Sequence, residues 1–237
     1  MSNVEEMAAR IDARLRALGS PRGIAAARRF FKEEVDPYGV SAPQIRELAR
    51  EIYREAKAWP AAHRNKLCTA LWRNGKLESG AFVAYFYARF AKQCGHCEFK
   101  LFETWIDKYV SNWAHTDSVC TLLTEASIRN EPALALQLPA WTASKNRWKR
   151  RAAAVSLVKA GRRGEHLETI LHVAGLMIED KDEMVQKGVG WLLKETHQTH
   201  PSAVVEFLHT QKARAPRLLL RYAAEKMTAA ERKRVLG

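Results

Sequence analysis

Trp113 and Asp117 stand four residues apart in the stretch YVSNWAHTDSVC, residues 109–120. On a helix this spacing puts an indole and a carboxylate on one face, one turn apart. Two arrangements satisfy it. The indole packs into a core with the acid on its rim, or the pair forms a site needing an aromatic face and a negative charge at one point. Such a site suits a cation. An indole face attracts positive charge by about 0.5–2 kcal/mol. A carboxylate at about 4 Å, in an effective dielectric near 20, adds roughly 4 kcal/mol. Two more tryptophans have polar company: Trp148 in KNRWKRRAAAV and Trp191 at the end of QKGVGW. Gly188 and Gly190 each cost about 1 kcal/mol relative to alanine inside a helix. That cost implies a close approach, by a neighbouring helix or by something else. Trp59, Trp72, Trp105 and Trp141 sit in apolar-periodic contexts and are expected in the core.

The charge points to a polyanion. The chain of 237 residues holds 39 Lys plus Arg against 26 Asp plus Glu. From Pro132 to Gly164 there is no acid, while Lys145, Arg147, Lys149, Arg150, Arg151, Lys159, Arg162 and Arg163 fall in that stretch. Such clustering is the electrostatic footprint of a polyanion partner, against the alternative of a basic solvated surface. No apolar run reaches membrane-spanning length, and the charged N-terminus has no signal-peptide pattern, so a cytoplasmic location is expected and no membrane association. CGHC at 94–97 has the form of a disulfide-exchange motif, but no strand–helix–strand pattern surrounds it and no second ligand pair would complete a zinc site. It reads as a helix–helix turn with reduced thiols. No metal site and no cofactor are expected.

The elements that must position these residues are helical throughout. Apolar residues recur at spacings of three and four in IRELAREIYREA, LFETWIDKYV and MVQKGVGWLLKE, and no alternating strand pattern is convincing. Ser41 to Gln44 and Thr228 to Glu231 read as capping boxes, and Pro21, Pro43, Pro132 and Pro201 fit first helical turns. The signals predict helices over 4–18, 22–34, 43–58, 61–74, 80–93, 97–110 and 115–129. They continue over 132–142, 147–160, 164–178, 182–198, 201–211, 214–226 and 229–236. Short connections and antiparallel pairs recurring every 35–40 residues or so predict an all-α curved solenoid of HEAT-like repeats. One domain covers 1–237; a compact bundle is the other arrangement.

Four segments carry a resemblance: YGVSAPQIREL (38–48), NWAHTDSV (112–119), ASKNRWKRRAA (143–153) and QKGVGW (186–191). In order and spacing they resemble the AlkD-type alkylpurine DNA glycosylases. The resemblance implies HEAT-like repeats that cradle duplex DNA in a basic concave face, and removal of N3- and N7-alkylated purines. Trp113 and Asp117 match that family's first active-site Trp and its catalytic Asp, and Trp191 matches the second Trp. Arg151 matches an Arg that supports DNA near the lesion. Its neighbours Arg147, Lys149 and Arg150, with Lys187 and Lys194 beside Trp191, are expected to grip phosphates, which sets register without reading sequence. Ala114 stands where family members often have Asp. The expected partner is duplex DNA carrying alkylated purines, bound by a monomer. The alternatives are a non-catalytic HEAT module for branched or distorted DNA, which has no use for Asp117, and a scaffold for an acidic protein.

Overall fold

The computed structural model describes residues 3–237. In chain order the first helices are α1 (Asn3–Leu18), α2 (Pro21–Phe30), α3 (Ala42–Ala56), α4 (Ala61–Arg73), α5 (Leu77–Tyr87) and α6 (His96–Lys108). Next come α7 (Trp113–Val119), α8 (Glu125–Asn130), α9 (Arg147–Val155), α10 (Val158–Arg163) and α11 (Leu167–Leu176). The chain ends in α12 (Glu183–His197), α13 (Pro201–Gln211), α14 (Arg217–Ala223) and α15 (Ala229–Leu236). Among the described residues there is no strand, and one isolated bridge pairs Asp36 with Lys76.

Periodicity explains the helices and the way they stack. α3 buries Ile45, Leu48, Ala49 and Ile52, a stripe at spacings of three and four in which each Ile or Leu contributes about 1.5–3 kcal/mol. α3 packs on α5, α5 on α7, α7 on α9, α9 on α12 and α12 on α14. These six helices form the inner row of a curved all-α solenoid. α4 backs α5, α6 backs α9, and α11 and α13 back α12 from outside. Between the rows Trp105 is fully buried, packs on Tyr87 and Phe102, and donates its indole N–H to Thr69 Oγ1 at 3.0 Å. Trp72 and Trp141 are buried as well, as is Trp148, whose ring lies under the Arg147 guanidinium. Trp148 is therefore a core residue despite its basic surroundings.

Several boundaries differ from the periodicity. The helix expected over 115–129 begins at Trp113, because Asn112 caps it by accepting from the His115 N–H at 2.9 Å. It then passes through a π-helical turn, Cys120–Thr124, before α8. The segment Pro132–Ala143 is a 3-10 helix containing Pro139, a residue without an N–H for an α-helical bond. The helix expected over 147–160 breaks after Val155 and resumes at Val158 as α10. Thr228 and Glu231 form the expected capping box; at α3 the Gln44 side chain accepts from the Ser41 N–H and hydroxyl. CGHC forms the expected turn. Cys94 is buried, its thiol pushed up to about 12 by burial, and Cys97 is exposed.

Candidate active site

Consecutive inner-row helices bring the sequence-separated residues to one place. The Asn112 cap makes Trp113 the first residue of α7 and sends Asp117 out from the next turn of the same face. Phe31 stacks on Trp113 with ring centroids 5.5 Å apart, which holds the indole half-buried. From α9, Arg151 presents a two-pronged ion pair to the acid. Nε donates to Asp117 Oδ1 and Nη2 to Oδ2, each at 2.9 Å, while Nη1 donates to the Met184 carbonyl on α12. The Arg151 side chain is 7% exposed and that of Asp117 20%. The acid thus keeps one open side.

That side opens on a cavity of about 560 Å³ lined by Trp113, Asp117, Arg151, Lys187, Trp191 and Lys194. Phe30, the last residue of α2, and Lys32, just beyond it, close one side, and Met184 and Tyr222 close the other from α12 and α14. Burial pushes the Asp117 carboxyl above its usual range, and the hydrogen bonds and charge of Arg151 pull the other way. The bidentate fork is the geometry of an ionised carboxylate. The result is a fixed anion between two indoles, with three lysines around it.

The anchoring of α7 is neutral. His115 is buried, its pKa lowered to about 4 by burial. Its Nε2 lies 2.8 Å from the Leu77 carbonyl and its Nδ1 3.1 Å from Asn112 Nδ2. The tautomer with hydrogen on Nε2 satisfies both contacts. Ala114 faces away from the cavity, into a larger hollow of about 690 Å³ between α2 and the helices α3 and α5. An acid at position 114 would point there, so its replacement by alanine leaves the Asp117 cavity unaltered. The one carboxylate lining the larger hollow, Glu78, already accepts from the N–H groups of Tyr38, Gly39 and Val40.

Of the basic residues expected to grip phosphate, Arg151, Lys187 and Lys194 line the cavity. Lys187 is the least tied of them, since Lys194 pairs with Glu225 at 3.0 Å and the rest are held by acids of the fold. Arg151 is turned inward on Asp117. Arg150 pairs with Asp180 at 2.7 Å and donates to the Ser144 carbonyl. Lys149 bridges Glu103 and Asp107 on α6. Arg147 pairs with Asp182 at 3.0 Å and approaches Glu33. The acids that meet Arg147, Lys149, Arg150 and Arg151 lie elsewhere in the sequence, which is why this part of the stretch looks unbalanced when read along the chain. Sequence reasoning missed Phe30, Lys32, Met184 and Tyr222. Neither Phe30 nor Tyr222 carries a signal in the sequence: the helix expected over 22–34 hides that Phe30 ends α2, where it is 67% exposed.

Comparison with known proteins bears on the chain as a whole. A family model described as DNA alkylation repair enzyme matches residues 11–227. A solved structure described as a predicted DNA alkylation repair enzyme from Enterococcus faecalis superposes with a TM-score of 0.80 at 16% identity. The superposition covers 89% of this chain and 97% of that one, and at this identity the likeness is one of fold. No curated protein matches the sequence.

Proposed function

The chain belongs to the DNA alkylation repair enzyme family, and we propose that within it the protein is a glycosylase that hydrolyses the N-glycosidic bond of N3- and N7-alkylated purines in duplex DNA. The observation that carries this is the Asp117 carboxylate, fixed by Arg151 and open to a cavity between Trp113 and Trp191. An alkylated purine of this kind is positively charged and leaves without being protonated. As its bond to the sugar breaks, the deoxyribose gains oxocarbenium character, as in glycoside hydrolysis. Asp117 stabilises that cation; at about 4 Å and an effective dielectric near 20, one such pair is worth roughly 4 kcal/mol, about three orders of magnitude in rate. The same carboxylate holds the attacking water and accepts its proton. Trp113 and Trp191 offer their faces to the cationic nucleoside. Lys32, Lys187 and Lys194 bind phosphates on either side. Arg151 holds the acid in place.

The test is release of free 7-methylguanine from methylated duplex DNA by the purified protein. Release that depends on Asp117 supports the proposal. Binding of the duplex with no base released would instead favour a non-catalytic DNA-binding module.

A further inference from the structure

The two glycines of QKGVGW have different neighbours. A Cβ on Gly190 would fall 2.5 Å from Tyr222 Cβ and 3.0 Å from the Leu219 carbonyl oxygen, so this glycine lets α14 pack against α12. A Cβ on Gly188 would fall 3.2 Å from Arg151 Cγ and 3.4 Å from Arg151 Nη1. The stem of Arg151 crosses α12 through the space a side chain at 188 would fill. It does so on its way to the Met184 carbonyl, with its fork still turned to Asp117.

We infer that Gly188 is a positioning residue for the Arg151–Asp117 pair: its missing side chain sets the plane in which the guanidinium meets the carboxylate. The inference rests on the reading of Asp117 as the group that stabilises the sugar cation. A methyl at 188 must be relieved by a shift of a few tenths of an ångström. The Val155 side chain at 3.5 Å closes the other direction, so Arg151 is the group that gives. A displaced fork loses the alignment of two hydrogen bonds that are 2.9 Å long. The helix backbone itself favours alanine over glycine, so the substitution carries no backbone penalty.

The groups facing Asp117 are Arg151 from α9, Lys187 and Lys194 from α12, Lys32 from the segment after α2, Tyr222 from α14 and the Cys120 thiol one turn on. Of these, Arg151 makes the hydrogen bonds. When its fork retreats, burial dominates and the carboxyl takes up a proton more readily. The acid limb of the rate profile then moves to higher pH.

The experiment measures single-turnover release of 7-methylguanine across pH, duplex affinity and thermal midpoint. It compares the parental protein, Gly188→Ala, Gly190→Ala, Arg151→Met and the Arg151→Met, Gly188→Ala double variant. For Gly188→Ala the expected result is a rate about tenfold lower and an acid limb at higher pH, with parental affinity and a midpoint no lower than the parent's. Gly190→Ala should lower the midpoint and leave the pH profile in place. In the Arg151→Met background Gly188→Ala should add no further loss, because the residue through which it acts is gone. A parental rate and profile for Gly188→Ala overturns the inference. So does an equal loss in the Arg151→Met background, or a lowered midpoint with an unmoved profile. No release by the parental protein would overturn the glycosylase reading, and this role with it; release by the parent with an unaltered Gly188→Ala overturns the role alone.

Discussion

Asp117 brings a negative charge to a cavity whose other ionic groups, Lys32, Lys187, Lys194 and the inward-turned Arg151, are cationic. A carboxylate there repels phosphate, so under the proposed glycosylase function its presence serves the chemistry and not the binding. Asp117→Asn keeps the shape and removes the charge. Excision of 7-methylguanine should fall by about 10²–10³, from roughly 3–4 kcal/mol of lost electrostatic stabilisation. Affinity for undamaged duplex should stay the same or rise. A single-turnover assay on one defined lesion separates the two effects; excision at the parental rate would show that the carboxylate is not catalytic. Trp113→Ala and Trp191→Ala should each cost less, about 1–2 kcal/mol. Arg151 changes its expected behaviour because of where it points. With its fork on Asp117, Arg151→Ala should slow excision and leave duplex affinity close to parental. A uniform loss of affinity with unchanged turnover would return it to the role of phosphate ligand. Burial raises the Asp117 carboxyl. The rate should therefore decline on acidification from a pH above the ordinary aspartate range, and Asp117→Asn should lack that decline.

Helix α7 shows which parts of the site the sequence carried. The four-residue spacing of Trp113 and Asp117 predicts a shared face, and α7 provides it. The π-helical turn that follows has no counterpart in the pattern, since a one-residue shift in phase leaves the apolar spacing intact over so short a run. Likewise QKGVGW announces a close approach but does not say to what, because the answer, Arg151 for one glycine and α14 for the other, depends on contacts between distant segments. The anchoring of α7 yields a stability prediction. Burial lowers His115 from an ordinary 6.5 to about 4. The unfolded chain thus takes up a proton below about pH 6.5, while the folded protein does not until about pH 4. The stability linked to neutral His115 is present above 6.5, is lost as pH falls through that window and changes no further below it. Its full extent is on the order of 3 kcal/mol. Denaturant unfolding of the parent and of His115→Asn should show the parent's advantage shrinking between pH 6.5 and 4. A constant difference across that range would mean the imidazole takes up a proton in the folded protein as readily as in water.

Over the whole molecule, the net charge of +13 fits a polyanion partner, but the structure redistributes the cations available to meet it. Lys149, Arg150 and Arg151, adjacent in sequence, each face an acid from another helix or loop. Lys187 has no acid nearer than Glu183 at 4.0 Å. Lys159 and Arg162 line a hollow of about 370 Å³ on the far side of Trp191, next to Glu195, and take part in no ion pair among the described residues. Clustering along the chain thus revealed the sign of the partner and not which residues touch it, because a cation's availability is settled by acids that can lie 30 or more residues away. Salt dependence measures that availability. If about five phosphates are neutralised, log affinity for undamaged duplex should fall against log salt with a slope of about −4 to −5. Lys187→Ala should flatten the slope by about one unit, the signature of one lost phosphate contact. Lys149→Ala should leave the slope unchanged and instead lower the thermal midpoint, because its ammonium ties α9 to Glu103 and Asp107 on α6. Equal changes of slope for the two variants would mean that DNA pulls Lys149 away from its acids, and that the ion pairs of the free protein do not decide which cations meet the backbone.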